Sequence, residues 1–111
     1  MANTTHTTTN TASAITCLAA QRFAIHEAAE RGLRDLGSAE EARLASLNSV
    51  IAHCAAQTPD EAALQIELAL EHVELAAHGL GTEGGMEDAE AALRSALALL
   101  RGASAIEALA A

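Results

Sequence analysis

Four ionisable side chains recur at helical spacing in the middle of the chain. At 100° per residue they fall within about 60° of one another on a helical wheel. The four are Glu67, Glu71, Glu74 and His78, and we call them the acidic stripe. Ferritin-like four-helix proteins build di-metal centres from carboxylates and imidazoles on facing helices. A metal site is therefore one hypothesis for this segment.

The stripe departs from the ferritin-like ligand pattern in two ways. A Glu and a His of one helix are three residues apart in that pattern, whereas Glu74 and His78 are four apart. A second helix with inward-facing ligands is also needed, and the sequence offers only His26 and Glu30, again four apart. Burial of so many ionisable groups without partners is costly. We therefore expect the stripe to face water and keep the metal site as the alternative. The opposite, buried face of the helix is predicted to be formed by Gln65, Ala69 and Ala76.

No other residues suggest catalysis or cofactor binding. Neither cysteine has a histidine three or four residues away, the spacing at which helical side chains contact each other. His53 and Cys54 are adjacent, and adjacent helical residues point apart. The glycine-rich segment 81–85 lacks the Lys-Ser/Thr pair of a phosphate-binding loop. We predict no catalytic residues, no cofactor and no enzymatic activity.

The elements that carry these residues are predicted to be helices. Alanine, the strongest helix former, accounts for 29 of the 111 residues, and there is one proline. Residues 11–111 are predicted to form one all-α domain, a four-helix bundle with up-down topology and antiparallel hairpins. The predicted helices are 12–36, 39–57, 59–79 and 86–101, followed by a short helical tail at 104–110. Residues 1–10, rich in Thr and Asn, are predicted to be a disordered arm.

The clearest boundary lies before the third helix. Thr58 is predicted to be its N-cap and Pro59 its first residue, where the missing N–H costs nothing. Asp60 and Glu61 follow beside the positive end of the helix dipole. The preceding connection is short, so the second and third helices either fold back on each other or continue through a kink.

Glycines are predicted to end the other helices. Gly37 should stop the first helix, although Gly32 could end it earlier, and Gly102 should stop the fourth. Ser38 and Glu41 have the spacing of a capping box that opens the second helix.

The net charge of −9 is confined to one segment. Residues 59–92 contain nine acids and no Lys or Arg, while six acids and six arginines balance elsewhere. The absence of lysine and of a basic patch argues against nucleic-acid binding. The acidic surface could instead contact a basic protein partner, imitate nucleic-acid phosphates or maintain solubility.

The apolar composition indicates a thin core. Large apolar side chains number 25, and Phe23 is the only aromatic residue. Close packing over alanine faces or a second copy of the chain could compensate. We therefore predict a homodimer that acts by protein–protein interaction and self-association.

The sequence also bears on location. No apolar run approaches the roughly 20 residues of a membrane span, and residues 1–10 lack the features of a secretory signal. Cys17 and Cys54 have no CxxC spacing and are expected to be buried free thiols. We predict a cytoplasmic protein with no membrane contact.

No family motif is present, but the composition suggests a general type. The chain resembles short alanine- and arginine-rich helical proteins of high-GC bacteria, chiefly at the helix–Thr58-Pro59–helix junction. This resemblance implies a bacterial source and no active site.

Overall fold

The computed structural model describes residues 13–110, and the side chains of residues 13–102. Over this range the chain folds into four helices without strands, which confirms the all-α four-helix bundle. The helices are α1 (Ala14–Arg31), α2 (Ser38–His53), α3 (Pro59–Ala77) and α4 (Glu83–Ala110). The arm predicted for residues 1–10 lies outside the described residues.

The antiparallel hairpin of α3 and α4 contains the most extensive helix–helix contact. Its interior is made of small side chains: Ala69 of α3 packs with Ala89 and Ala92 of α4, and Ala52 of α2 joins this cluster. Gly79 ends α3 with a positive φ of 73°, a conformation that favours glycine. Methyl-sized contacts allow the two helix axes to approach closely.

The chain folds back between α2 and α3. Ile51 of α2 and Leu68 of α3 lie in one buried cluster, which Ile15 of α1 completes. If the two helices continued through a kink, the seventeen residues from Ile51 to Leu68 would span about 25 Å. The contact therefore selects the folded-back arrangement from the two that the sequence allows.

The end of α2 is set by tertiary hydrogen bonds. The prediction placed it near residue 57, but α2 ends at His53. The carbonyl of Cys54 accepts hydrogen bonds from Gln65 Nε2 at 2.7 Å and from Ser95 Oγ at 3.0 Å. The backbone N–H of Ala56 donates to the same Ser95 Oγ at 2.9 Å. These partners from α3 and α4 replace the helical hydrogen bonds that a longer α2 would have made.

Of the two ends predicted for α1, the one at residue 36 is too late and the alternative at Gly32 is correct. The helix ends at Arg31 with Gly32 as C-cap, and Leu33 adopts the left-handed conformation at φ 49°. The backbone N–H of Arg34 then bonds the carbonyl of Ala29. Leu33 is consequently 94% exposed and does not join Ile15 and Ala29, the buried residues of α1.

Only half of a capping box is present at α2, on different residues from those predicted, because glycine has no side chain to complete it. Gly37 is the N-cap, Ser38 is already helical, and the backbone N–H of Gly37 donates to Glu40 Oε1 at 3.0 Å. Glu40 also pairs with Arg34 at 2.6 Å. The box was therefore misplaced by one residue, since a salt bridge across the turn favours Glu40 over Glu41.

Both ends of α4 differ from the prediction. The helix begins at Glu83 rather than at residue 86, because Thr82 Oγ1 accepts a hydrogen bond from the backbone N–H of Gly85 at 3.0 Å. It continues through Gly102 to Ala110, so the separate tail at 104–110 is part of α4. An interior glycine costs a helix only about 1 kcal/mol, and no proline follows Gly102 to stop it.

The buried core is small and rich in alanine. Among the side chains that the structure describes, twelve apolar residues are buried and seven of them are alanine. The large ones are Ile15, Leu44, Leu47, Ile51 and Leu68. The molecule is only 21 Å thick in its shortest dimension, about two helix diameters. The thin core expected from the composition is confirmed.

Gln65 should contribute strongly to stability. Its side chain is fully buried, and its amide group donates to the carbonyls of Ile51 and Cys54. Replacement by alanine leaves a cavity and removes both hydrogen bonds, so we expect Gln65→Ala to lower the free energy of unfolding by about 3 kcal/mol. Urea denaturation measures this loss. The exposed Gln57→Ala serves as control and should change stability by less than about 0.5 kcal/mol; equal losses would contradict the assignment.

Candidate functional site

The acidic stripe lies on the solvent-exposed side of α3. Glu67, Glu71, Glu74 and His78 are all exposed, whereas Gln65 and Ala69 on the opposite side are buried. Ala76, which the helical wheel also assigned to the buried side, is exposed because it lies near the end of α3. Apart from Ala76, the predicted orientation of the helix is correct.

The stripe residues have individual neighbours. Glu71 pairs with Arg22 of α1 at 3.4 Å, and Arg22 Nε also donates to Asn48 Oδ1 of α2 at 2.9 Å. The Nδ1 atom of His78 lies 2.8 Å from the carbonyl oxygen of Glu74, so the ring faces its own helix end. One carboxylate therefore joins α1 to α3, and the imidazole caps α3.

The candidate metal ligands converge only in part. Glu71, Glu74 and His78 line one shallow groove of about 320 Å³, and Glu67 lies outside it. His26 is half-buried on α1, and Glu30 is exposed one turn further on. Within the described part of the chain, no three His, Cys, Asp or Glu side chains are grouped closely enough to hold a metal ion. The metal hypothesis gains no geometric support.

The two cysteines differ in environment. Cys54 is half-buried against the Ile15–Ile51–Leu68 cluster, whereas Cys17 is exposed on α1. The expectation that both thiols are buried is wrong for Cys17, because it lies two residues after the buried Ile15 and therefore on the opposite side of α1. His53 is exposed, and its Nε2 lies 2.9 Å from Asp88 Oδ1 of α4.

The largest unexplained feature is an uncovered apolar face on the α3–α4 hairpin. Seven large side chains on this face are each 40–55% exposed. In each helix three of these side chains recur at i, i+4 and i+7. Helix α4 adds a fourth, two turns closer to its amino-terminal end. They are Ile66, Leu70 and Val73 of α3, and Met86, Leu93, Leu97 and Leu100 of α4; we call this set the apolar face.

A groove joins the two halves of this face. It encloses about 490 Å³, and its lining includes Val73 of α3 together with Met86, Leu93 and Leu97 of α4. Ala89, a core residue, also contributes to the lining. Because small side chains fill the space between the helices, the larger ones lie on the flanks. The apolar stripes of both helices are visible in the sequence, but which of them stays uncovered depends on where α1 and α2 pack.

Glu61 has a role that the sequence does not reveal. It was predicted only as an acid in the first turn of α3, yet it is 5% exposed. Its carboxylate accepts hydrogen bonds from Ser13 Oγ, from Thr16 Oγ1 at 2.5 Å and from the backbone N–H of Gln57 at 2.7 Å. Ser13 is also the N-cap of α1. One carboxylate thus fastens the start of α1 to the start of α3.

The hydrogen bonds determine the charge state of Glu61. Burial alone would raise the pKa of this carboxyl, but the bonds from Ser13, Thr16, Gln57 and Thr58 outweigh burial and lower the pKa below its ordinary 4.5. The carboxylate is therefore ionised at neutral pH, and it accepts all of these bonds without a cationic partner.

None of the described helices is long and apolar enough to cross a lipid bilayer. No protein-family model matches the chain, and neither a curated protein nor a solved structure shows detectable similarity to it. Any functional assignment therefore depends on the surfaces of the molecule.

Stability should fall in acid, and Glu61 should cause part of the loss. Because the folded-state pKa of Glu61 is lower than its unfolded value of 4.5, its contribution is complete above that pH and disappears as pH falls through the folded pKa. Glu40, whose pKa is lowered to about 2 chiefly by its hydrogen bond from Arg34, acts in the same direction. We expect Glu61→Gln to lose about 1–3 kcal/mol at pH 7.

Urea denaturation at pH 7, 5 and 3 measures this effect. The difference between wild type and Glu61→Gln should shrink from pH 5 to pH 3, because proton binding by the unfolded-state carboxyl below 4.5 reduces the stabilisation that the ionised folded carboxylate supplies. Glu67→Gln on the exposed side of the same helix is the matched control and should stay close to wild type at each pH. A difference that does not depend on pH would show that Glu61 acts through packing alone.

Proposed function

We propose that this protein acts by protein–protein contact, and that its primary contact is with a second copy of itself through the apolar face. The observation that carries the proposal is the alignment of seven half-exposed large aliphatic side chains on one side of the α3–α4 hairpin. Contiguous exposed apolar surface of this kind marks interaction sites in soluble proteins.

The size of the face supports self-association. A half-exposed Leu, Ile or Met residue leaves roughly 80–90 Å² accessible to solvent, so the seven together expose on the order of 600 Å². This area is at the upper end of the range for the largest apolar patch on a monomeric protein. Their burial would stabilise a complex by about 15 kcal/mol per face before the cost of association is subtracted. The core of a single copy contains five large buried side chains. Covering the seven side chains of the apolar face would therefore add substantially to the buried apolar surface.

The chemistry of the described surface also limits the alternatives. Among the described residues, no three His, Cys, Asp or Glu side chains lie close enough to hold a metal ion, so the ferritin-like alternative remains a sequence-based hypothesis. The acidic stripe is exposed and leaves room for a basic partner, which likewise remains a prediction. Cys17 and Cys54 are both free thiols, which agrees with a reducing cytoplasm. We propose a cytoplasmic location and a bacterial source for this protein.

Leu97→Glu should disrupt the dimer. The side chain is 47% exposed and lines the groove, so a carboxylate there would replace apolar contact with a charge that must lose its water on dimerisation. We expect wild type to be dimeric at micromolar concentration and the dissociation constant to rise at least about 30-fold in Leu97→Glu, since 2 kcal/mol corresponds to that factor. Analytical ultracentrifugation across a concentration series measures both.

Val50→Glu is the matched control. Val50 lies on α2, outside the apolar face, and is 51% exposed. This variant introduces the same charge at a similar exposure and should dimerise as wild type does. A protein concentration of about 100 μM is roughly a hundred times a micromolar dissociation constant. A wild-type protein that stays monomeric at this concentration would refute the proposed function.

A further inference from the structure

We propose that the second copy packs its α4 antiparallel to α4 of the first, around a two-fold axis beside Ala92 and Leu93. In this register Glu83 and Glu90 of each copy face Arg101 and Arg94 of the other. The inference rests on the proposed function and specifies the geometry of the same surface.

A charged border runs along α4 beside the apolar face. On a helical wheel its five members lie within about 60° of one another and next to the face. They are Glu83, Glu87, Glu90, Arg94 and Arg101. Glu83, Glu90 and Arg94 also line the groove that Met86, Leu93 and Leu97 form. The border is therefore part of the surface that a partner on this face would touch.

The charges of this border are segregated along the helix. Its amino-terminal half is acidic and its carboxy-terminal half basic, and Arg94 and Arg101 are the two basic residues of α3 and α4. A parallel partner would place like charges side by side. An antiparallel partner places each acidic half beside a basic half, so electrostatics selects the antiparallel arrangement.

A single register satisfies both ion pairs. Glu83 lies nine residues before Ala92 and Arg101 nine after it, while Glu90 and Arg94 lie two before and two after. Rotation about an axis at Ala92 therefore brings Glu83 opposite the partner's Arg101, and Glu90 opposite the partner's Arg94. The present partner of Arg94 is Glu90 of its own chain, at 2.7 Å and well exposed; such a pair contributes little and can be exchanged.

The apolar side chains fit the same register. Leu93, one residue from the axis, meets the partner's Leu93 at the centre. Met86 lies seven residues before Leu93 and Leu100 seven after it, so each Met86 lies within about two residues, or 3 Å along the helix, of the position opposite the partner's Leu100. Large side chains thus occupy the centre and both ends of the seam. This is the self-complementary surface that a two-fold dimer requires.

The area and the composition of the chain favour a second copy as the occupant. A stable dimer buries about 800 Å² per partner, which the face of roughly 600 Å² reaches once its charged border is included. Residues 1–12 contain one large apolar side chain, Met1, and so cannot supply a matching apolar surface from within the same chain.

A different two-fold arrangement would place α4 over α3 of the partner. The border of α3 on that side is purely acidic, with Glu67, Glu71 and Glu74. The acidic half of α4 would then lie beside acids, and only Arg94 and Arg101 would gain partners. When α4 packs on α4 of the partner, Arg94 and Arg101 gain acidic partners and the acidic half of α4 lies beside arginines. Acidic side chains then come together only where the two α3 helices meet.

Two charge variants distinguish these arrangements. Glu83→Arg/Glu90→Arg makes the α4 border basic, and Arg94→Glu/Arg101→Glu makes it acidic. We expect each variant alone to dimerise at least about tenfold more weakly than wild type through like-charge repulsion. An equimolar mixture should form the heterodimer, read by native mass spectrometry. All four positions are exposed, so helical content by circular dichroism should not change.

The outcomes separate the inference from the proposed function. A tighter homodimer of Glu83→Arg/Glu90→Arg would overturn the inference in favour of α4 against the acidic border of α3. Wild-type dimerisation without heterodimer preference would also overturn it, while the proposed function would stand. A monomeric wild type would refute both.

A cysteine at the axis gives an independent measurement. In a Cys17→Ser/Cys54→Ala background, Leu93→Cys should form an intermolecular disulfide on mild oxidation, because in the proposed dimer the two Leu93 positions lie beside the two-fold axis and closer to each other than any other pair on the apolar face. Ala98→Cys, exposed on α4 but outside the apolar face, is the control and should remain reduced. Equal cross-linking at both positions would overturn the register.

Discussion

The packing of alanine against alanine between α3 and α4 is the constraint on which the rest of the structure depends. Ala69, Ala89 and Ala92 meet at the centre of the hairpin, and Ala52 of α2 rests on them. Methyl groups allow a close approach of the helix axes but contribute little buried area each. The close contact also leaves no room for Leu and Met side chains between the helices, so these side chains lie on the flanks.

Two buried polar residues fasten the remaining helices to this hairpin. Gln65 donates to the carbonyls at the end of α2, and Glu61 accepts hydrogen bonds from the first residues of α1. Both lie on the buried side of α3, one turn apart. Because hydrogen bonds depend on direction as well as distance, they specify positions that a core of small, similar side chains would leave poorly defined.

This division of roles explains the uneven surface of the protein. Helices α1 and α2 cover one side of the hairpin, while the side that carries Leu93 and Leu97 stays open. The acids of residues 59–92 divide accordingly: Glu61 is buried, the acidic stripe faces water, and Glu83 and Glu90 border the apolar face. The excess negative charge is thus distributed over several structural roles. Along α4 the acidic residues share one border with two arginines, and the proposed pairing with a second copy of the chain rests on that border.

Local capping chemistry was readable from the sequence. Thr58 accepts a hydrogen bond from the backbone N–H of Glu61 at 3.2 Å, Pro59 begins α3, and the wheel oriented Gln65 and Ala69 inwards. These features depend on neighbours within a few residues. The end of α2 was misplaced, since contacts from Gln65 and Ser95, more than ten residues away, decide where it stops.

The sequence by itself determined the class of fold, the alanine-rich interior and the orientation of α3, because periodicity and propensity act along a single helix. Only the tertiary structure decided that Glu61 is buried and that the chain reverses between α2 and α3. It also decided which apolar stripe remains uncovered. Helical periodicity shows that a side chain lies on an apolar side, but coverage depends on how many neighbouring helices can reach that side. In this protein the closeness of α3 and α4 settles that question.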